Sequence, residues 1–158
     1  MQRARHEKVL GRLARAECSE TRRVIEGPDA VLGMTPSMWK VTRDVEAPAD
    51  TVWRILTDLE AWPRWGLTVS RAELDGTAFL LGATGRVWTP VGVPLPFVIS
   101  EFDPGRTWGW DVAGVPATRH GVRPTDGGCR VWMSAPVWAP AYLPVLEVAV
   151  RRIAKMAQ

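Results

Sequence analysis

Cysteine, histidine, tyrosine and lysine are all scarce in this chain. Its two cysteines, Cys18 and Cys129, stand far apart with no metal-like spacing, which points away from a disulfide framework and toward a reducing compartment. Its two histidines, His6 and His120, have no Cys, Asp or Glu cluster at ligand spacing, so no metal site is expected. No apolar run approaches the roughly 18 residues that cross a bilayer. No hydrophobic segment follows the N-terminal arginines in the manner of a secretory signal. Stable membrane insertion is therefore not expected, and the cytoplasm is the default location. Gly82-Ala83-Thr84-Gly85 lacks the strand–turn–helix setting and the following Lys-Ser/Thr of a phosphate loop. Ser70, Ser100 and Ser134 have no nucleophile elbow around them. Nothing here calls for a cofactor.

What is present is a globular composition, 46% apolar and 23% charged, long enough for one buried core and short for two. Nine tryptophans are the outlying feature; indoles in that number serve as core, as pocket lining or as an exposed contact surface. The net charge of +3 is unevenly placed: residues 1 to 23 hold seven basic and three acidic side chains, a local +4, which leaves −1 for the rest. A nucleic-acid protein would carry its basic stripe across the folded body, so no nucleic-acid partner is expected.

The chain is organised around Trp39 to Trp65. Residues 38 to 46 predict a strand, Ala47-Pro48 a turn, and Val52, Ile55, Leu56 and Leu59 an amphipathic helix N-capped by Asp50. Pro63 breaks the next turn, which carries Trp62 and Trp65. From 67 to 136 the period changes to that of strands: Leu67 to Leu74, Gly85 to Thr89, Leu95 to Phe102, Arg106 to Val112, Ala117 to Arg123 and Cys129 to Ala135. The short Gly, Asp and Pro separators between them favour an antiparallel meander, with Pro94 and Pro96 at an edge or bulge. A last helix starts between Pro140 and Pro144 and carries Leu146, Ala149, Val150, Ile153 and Met156 on one side. Upstream, residues 3 to 26 predict a helical arm with a thin stripe of Val9, Leu13 and Ala16, ended by Gly27-Pro28. That arm leaves a homodimer open, because the stripe needs a surface to lie on.

With these elements in hand, Glu46-Ala47-Pro48-Ala49-Asp50-Thr51-Val52-Trp53, then Leu56, Asp58 and Trp62-Pro63-Arg64-Trp65, resemble the opening of the START-like, or Bet v 1-like, superfamily. The resemblance is narrower to its polyketide cyclase/dehydrase and lipid transport branch. It continues through Gly82 to Arg86, Asp103-Pro104-Gly105-Arg106 with Trp108 and Trp110, and Arg123-Pro124 with Gly127-Gly128-Cys129-Arg130-Val131, covering about 38 to 157. It implies an α+β helix-grip: a curved seven-stranded antiparallel sheet wrapped around a long C-terminal helix. The implied organisation is an N-terminal extension, 1–36, and a ligand-binding domain, 37–158. The implied partner is a small hydrophobic molecule, lipid-like or polycyclic, held in an internal cavity.

Strand parity puts Trp108, Trp110 and Val112 on one face, with Thr118 and His120 on the next strand and Met133 beyond it. That floor is either plain core or a ligand platform. The expected ligand-contacting set is completed by Trp62 and Trp65 at the mouth, Trp88, Phe97, and Leu146 with Val150 from the helix. An inward His120 offers acid/base chemistry for a cyclase or dehydratase, with Glu101 as partner if that residue, rather than Phe102, faces inward. Asp111 and Arg119 fall on the outward parity and predict a cross-strand surface pair. Three readings follow: a hydrophobic-ligand binder, an aromatase/cyclase or dehydratase using His120, and a protein-interaction module with a filled core.

Overall fold

The computed structural model describes Ile25–Glu26 and residues 38–158. Strand β1 is Ile25–Glu26 and β2 is Met38–Val45. Two short helices follow, α1 at Ala49–Thr57 and α2 at Trp62–Trp65. The meander runs β3 Arg71–Leu74, β4 Thr84–Trp88, β5 Pro94–Asp103, β6 Thr107–Val112, β7 Val115–Thr125 and β8 Gly128–Pro136. A 3₁₀ turn, Pro140–Tyr142, leads into α3, Leu143–Ala157. The strands form one antiparallel sheet in the order β1-β2-β8-β7-β6-β5-β4-β3. Seven of them make the curved sheet of an α+β helix-grip, and the two-residue β1 adds an eighth at the β2 edge through Ile25↔Val41 and Glu26↔Lys40. Residues 25 and 26 are thus strand where the sequence predicts the end of a helix. The rest of the predicted arm lies outside the described residues.

The sequence places each element for reasons that can be read locally. In α3, Leu146, Ala149, Val150, Ile153 and Ala154 are buried, a three-and-four spacing that lays one stripe on β2 and α1. Pro144 sits in the first turn, where its missing N–H leaves no bond unmade. Helix α1 buries Val52 and Leu56. Its N-cap is Pro48, not Asp50: the Pro48 carbonyl accepts from Thr51 N at 3.0 Å, and no side chain caps the helix. Asp50 instead stands in the first turn, where its charge complements the helix dipole. At the other end, Nε1 of Trp62 donates to the Leu56 carbonyl at 3.0 Å and Nε1 of Trp65 to the Ile55 carbonyl at 3.3 Å. Two carbonyls that the helix leaves over are thereby satisfied, and both indoles can be buried.

Strand β3 begins at Arg71 rather than Leu67, because residues 66 to 69 close a turn through Val69 N to the Gly66 carbonyl. Pro94 and Pro96 lie within β5 beyond the Phe97↔Val112 pair, where β6 has ended and β5 has only β4 beside it. Between β6 and β7 the chain reverses through Ala113 and Gly114, with φ of +52° and +78°, the left-handed pair a two-residue hairpin needs. On the outer face, Trp132 lies against Gly121 with Lys40 over its ring.

One end of the concavity is solid. The Trp62 and Trp108 rings stack with centroids 5.2 Å apart and planes 7° from parallel. Phe79 meets both edge-on, Phe97 packs on Trp62, and Phe102 bridges Phe79 to Trp53.

Candidate functional site

Because aromatic rings fill that end, the free space lies at the other. A cavity of about 400 Å³ opens between the sheet and the start of α3. Its walls are Val87 and Leu95 from β4 and β5, Trp110 and Val112 from β6, Ala135 from β8, and Thr68, Val69 and Tyr142 from the connections facing the sheet. Almost every wall group is apolar; hydroxyls of Thr68, Thr89, Thr118 and Tyr142 are the polar exceptions. At the mouth, Val115 and Trp138 line the cavity and are also exposed, Trp138 by 69%. The hairpin tip at Val91 and Val93 is exposed as well.

A much smaller space, about 30 Å³, lies deeper, toward α3 and α2. Trp62, Trp65, Trp110, Thr118, His120, Met133, Tyr142 and Leu146 all contribute to it. Thr68, Val69, Trp110, Thr118 and Tyr142 border both spaces. The Tyr142 hydroxyl and Thr68 Oγ1 meet at 2.6 Å, tying the chain before β3 to the entry of α3.

His120 does face inward and is buried, 2% exposed. Its ring stacks on Trp108 at 3.9 Å and meets Trp65 edge-on. Its Nε2 is 3.1 Å from Thr118 Oγ1, which in turn accepts from Nε1 of Trp110 at 3.0 Å. Nδ1 of His120 and Nε1 of Trp108 are buried with no well-formed hydrogen bond among the described residues. Burial pushes the imidazole down to about 3, an effect the Trp108 backbone opposes only in small part. At neutral pH the ring is uncharged and a poor base, which leaves it as a hydrogen-bonding and stacking group.

Glu101 is no partner for it. A bulge between Ile99 and Glu101 turns Ser100 and Glu101 outward together and Phe102 inward. Glu101 pairs with Arg119 on the outer face. The outward parity of Asp111 and Arg119 is as the sequence predicts, but not their pairing: Asp111 Oδ1 accepts from Ser100 Oγ at 3.0 Å instead.

The other expected contacts divide by position. Trp110 and Thr118 line the main cavity. Trp62, Trp65, Met133 and Leu146 touch the deep space, and the two indoles are core rather than rim. Trp108, Phe97 and Val150 border neither space and pack as core. Trp88 is half-buried beside Arg71, whose guanidinium lies 4.6 Å from its ring; Gly85 and Val87 are the buried positions of β4. Phe79, which no periodicity marks, sits in an irregular loop and inserts its ring into the aromatic core. Among the described residues, no group of three or more His, Cys, Asp or Glu is placed to hold a metal ion. No helix among them is long and apolar enough to cross a membrane.

A curved antiparallel sheet gripping a C-terminal helix, with an apolar cavity between them, defines the α+β helix-grip class. Comparison narrows the class: residues 38–157 match the family model described as polyketide cyclase / dehydrase and lipid transport, and the chain belongs to that family. No curated protein matches the chain. Among solved structures, the chain resembles CalU16 of Micromonospora echinospora at a TM-score of 0.63 and 16% identity, over 89% of this chain and 77% of that one. A Mesorhizobium loti protein is similar at 0.60 and 15% identity, over 75% and 95%. A Rhodobacter sphaeroides protein is similar at 0.59 and 19% identity, over 85% and 97%. Likeness at these identities concerns the fold.

Proposed function

We propose that the protein binds a small, mainly apolar molecule in the cavity between the sheet and the start of α3, for transport or sequestration. The observation that carries this reading is the cavity itself, about 400 Å³ with almost wholly apolar walls, within the roughly 300–1,000 Å³ usual for small-molecule sites. Trp110 offers a flat indole at its side, and Thr118 and Tyr142 offer hydroxyls that fix orientation. The family description covers catalysis as well as lipid transport. Binding is favoured because, among the described residues, the one imidazole near the cavity is held neutral behind Thr118 and no carboxylate stands in the wall.

The test is a titration with N-phenyl-1-naphthylamine, a dye that brightens in apolar surroundings, followed by native mass spectrometry of the complex. One bound dye per chain is expected. Val112→Trp places an indole in the cavity wall and should weaken the dye by at least about tenfold while the far-ultraviolet circular dichroism stays that of the parent. No brightening and no bound mass would defeat the reading and favour a filled interaction module.

A further inference from the structure

The cavity has a neighbouring compartment across the sheet, where two strands part. The β7–β8 ladder ends at Arg119↔Ser134. Beyond that pair, β7 is bonded to β6 alone through Val115 and Pro116, and β8 turns to β2 through Trp39↔Ala135 and Met38↔Pro136. The two strands diverge and leave a slot between residues 115–118 and 135–138. On the outer side of the slot lies another compartment, of about 340 Å³. The two spaces share Pro116, Ala117, Thr118, Pro136 and Trp138 of the slot, together with Trp110 of β6. They differ in chemistry. The inner one is apolar, whereas the outer one is bordered by Ser100, Glu101, Asp111 and Arg119.

The charges of the outer compartment decide what fits it. Two carboxylates and one guanidinium give −2 + 1 = −1. Arg119 is engaged by Glu101. Asp111 has the Ser100 hydroxyl but no cation paired with it among the described residues. A half-buried carboxylate in that position attracts a positive group and repels an anionic one.

We propose that the bound molecule is an amphiphile threaded through the slot, with its apolar body in the inner cavity and an ammonium-bearing end in the outer compartment against Asp111. The proposal rests on the cavity reading above and adds to it the ligand's polarity and its orientation. It predicts that a molecule with an anionic end, such as a fatty acid, is disfavoured. Trp138, which borders both spaces, would close over the threaded chain.

The test uses three ligands of one chain length, dodecylamine, dodecanol and dodecanoate, each displacing N-phenyl-1-naphthylamine from the full-length protein at low ionic strength and below micellar concentrations. Dodecylamine is expected to displace the dye at a concentration at least about tenfold below that of dodecanoate. In Asp111→Asn that advantage should shrink to under about threefold while the dye's own affinity is unchanged. Ala117→Phe, at a wall residue of both spaces, should narrow the slot and remove the advantage, read as the ratio of amine to dodecanoate displacement so that a change in the dye's own affinity cancels. Dye binding with no preference for the amine, or a preference that survives Asp111→Asn, overturns the threaded amphiphile and leaves the cavity standing. Failure of the dye to bind overturns both.

Discussion

Acidification should destabilise this protein through His120 before its carboxylates take part. The ring is buried, and its pKa is pushed from an ordinary 6.5 down to about 3. Trp65, Trp108 and Trp110 pack around it, with Thr118 at hydrogen-bond distance and Met133 opposite on β8, and none of these is charged. The unfolded chain takes up a proton near the ordinary value, whereas the folded chain does not until far lower. Between the two values the unfolded state binds more protons, so stability is full above the ordinary value and falls as the pH drops through the window. From about pH 7.5 to about pH 5 the loss is about 2 kcal/mol. That figure depends on the unfolded-state value and barely changes wherever below about 4 the folded value lies. Asp44 is held below the ordinary carboxylate value of about 4 by its hydrogen bond to Arg130, so its share comes below about pH 5. Urea unfolding followed by circular dichroism at the two pH values measures the difference. His120→Phe keeps a flat ring against Trp108, removes the titration and should abolish the slope, which also separates His120 from His6. Equal stability at both pH values with unchanged m, or an undiminished slope in His120→Phe, would refute the reasoning.

Two further outcomes follow from neighbouring contacts. Thr118→Val leaves Nε1 of Trp110 and Nε2 of His120 without the oxygen they share and should destabilise by about 1–3 kcal/mol; Thr118→Ser, which keeps the oxygen, should restore most of it in the same urea titration. Gly121→Ala would set a methyl 2.3 Å from Cε2 of Trp132 and should destabilise by about 1–3 kcal/mol; a melting temperature equal to the parent's would show that Trp132 moves aside freely.

Strand parity in the sequence reaches as far as regular pairing does. It puts Trp108, Trp110, Thr118, His120 and Met133 inward, as they are. It does not decide between Glu101 and Phe102, because the extra residue of a bulge, Ser100, resets the alternation, and a bulge leaves no compositional mark here. Helix periodicity finds the buried stripe of α3 but cannot show that Trp62 and Trp65 fold back on α1, since the reason is two N–H groups reaching carbonyls six and ten residues away. Phe79 is silent in the sequence because its loop has no period at all. The cavity depends on meetings such as Thr68 with Tyr142, 74 residues apart, and on two strands parting after Arg119 and Ser134. Both are facts of three-dimensional closure rather than of local pattern.

The stacked Trp62–Trp108 pair and its surrounding rings divide labour within the domain. Cohesion is concentrated at one end of the grip, away from mouth positions such as Val115 and Trp138, which are exposed. Substitutions at exposed positions of that kind usually shift stability by no more than about 0.5 kcal/mol. The entrance can therefore change its residues over generations while the ring-packed end keeps the chain folded.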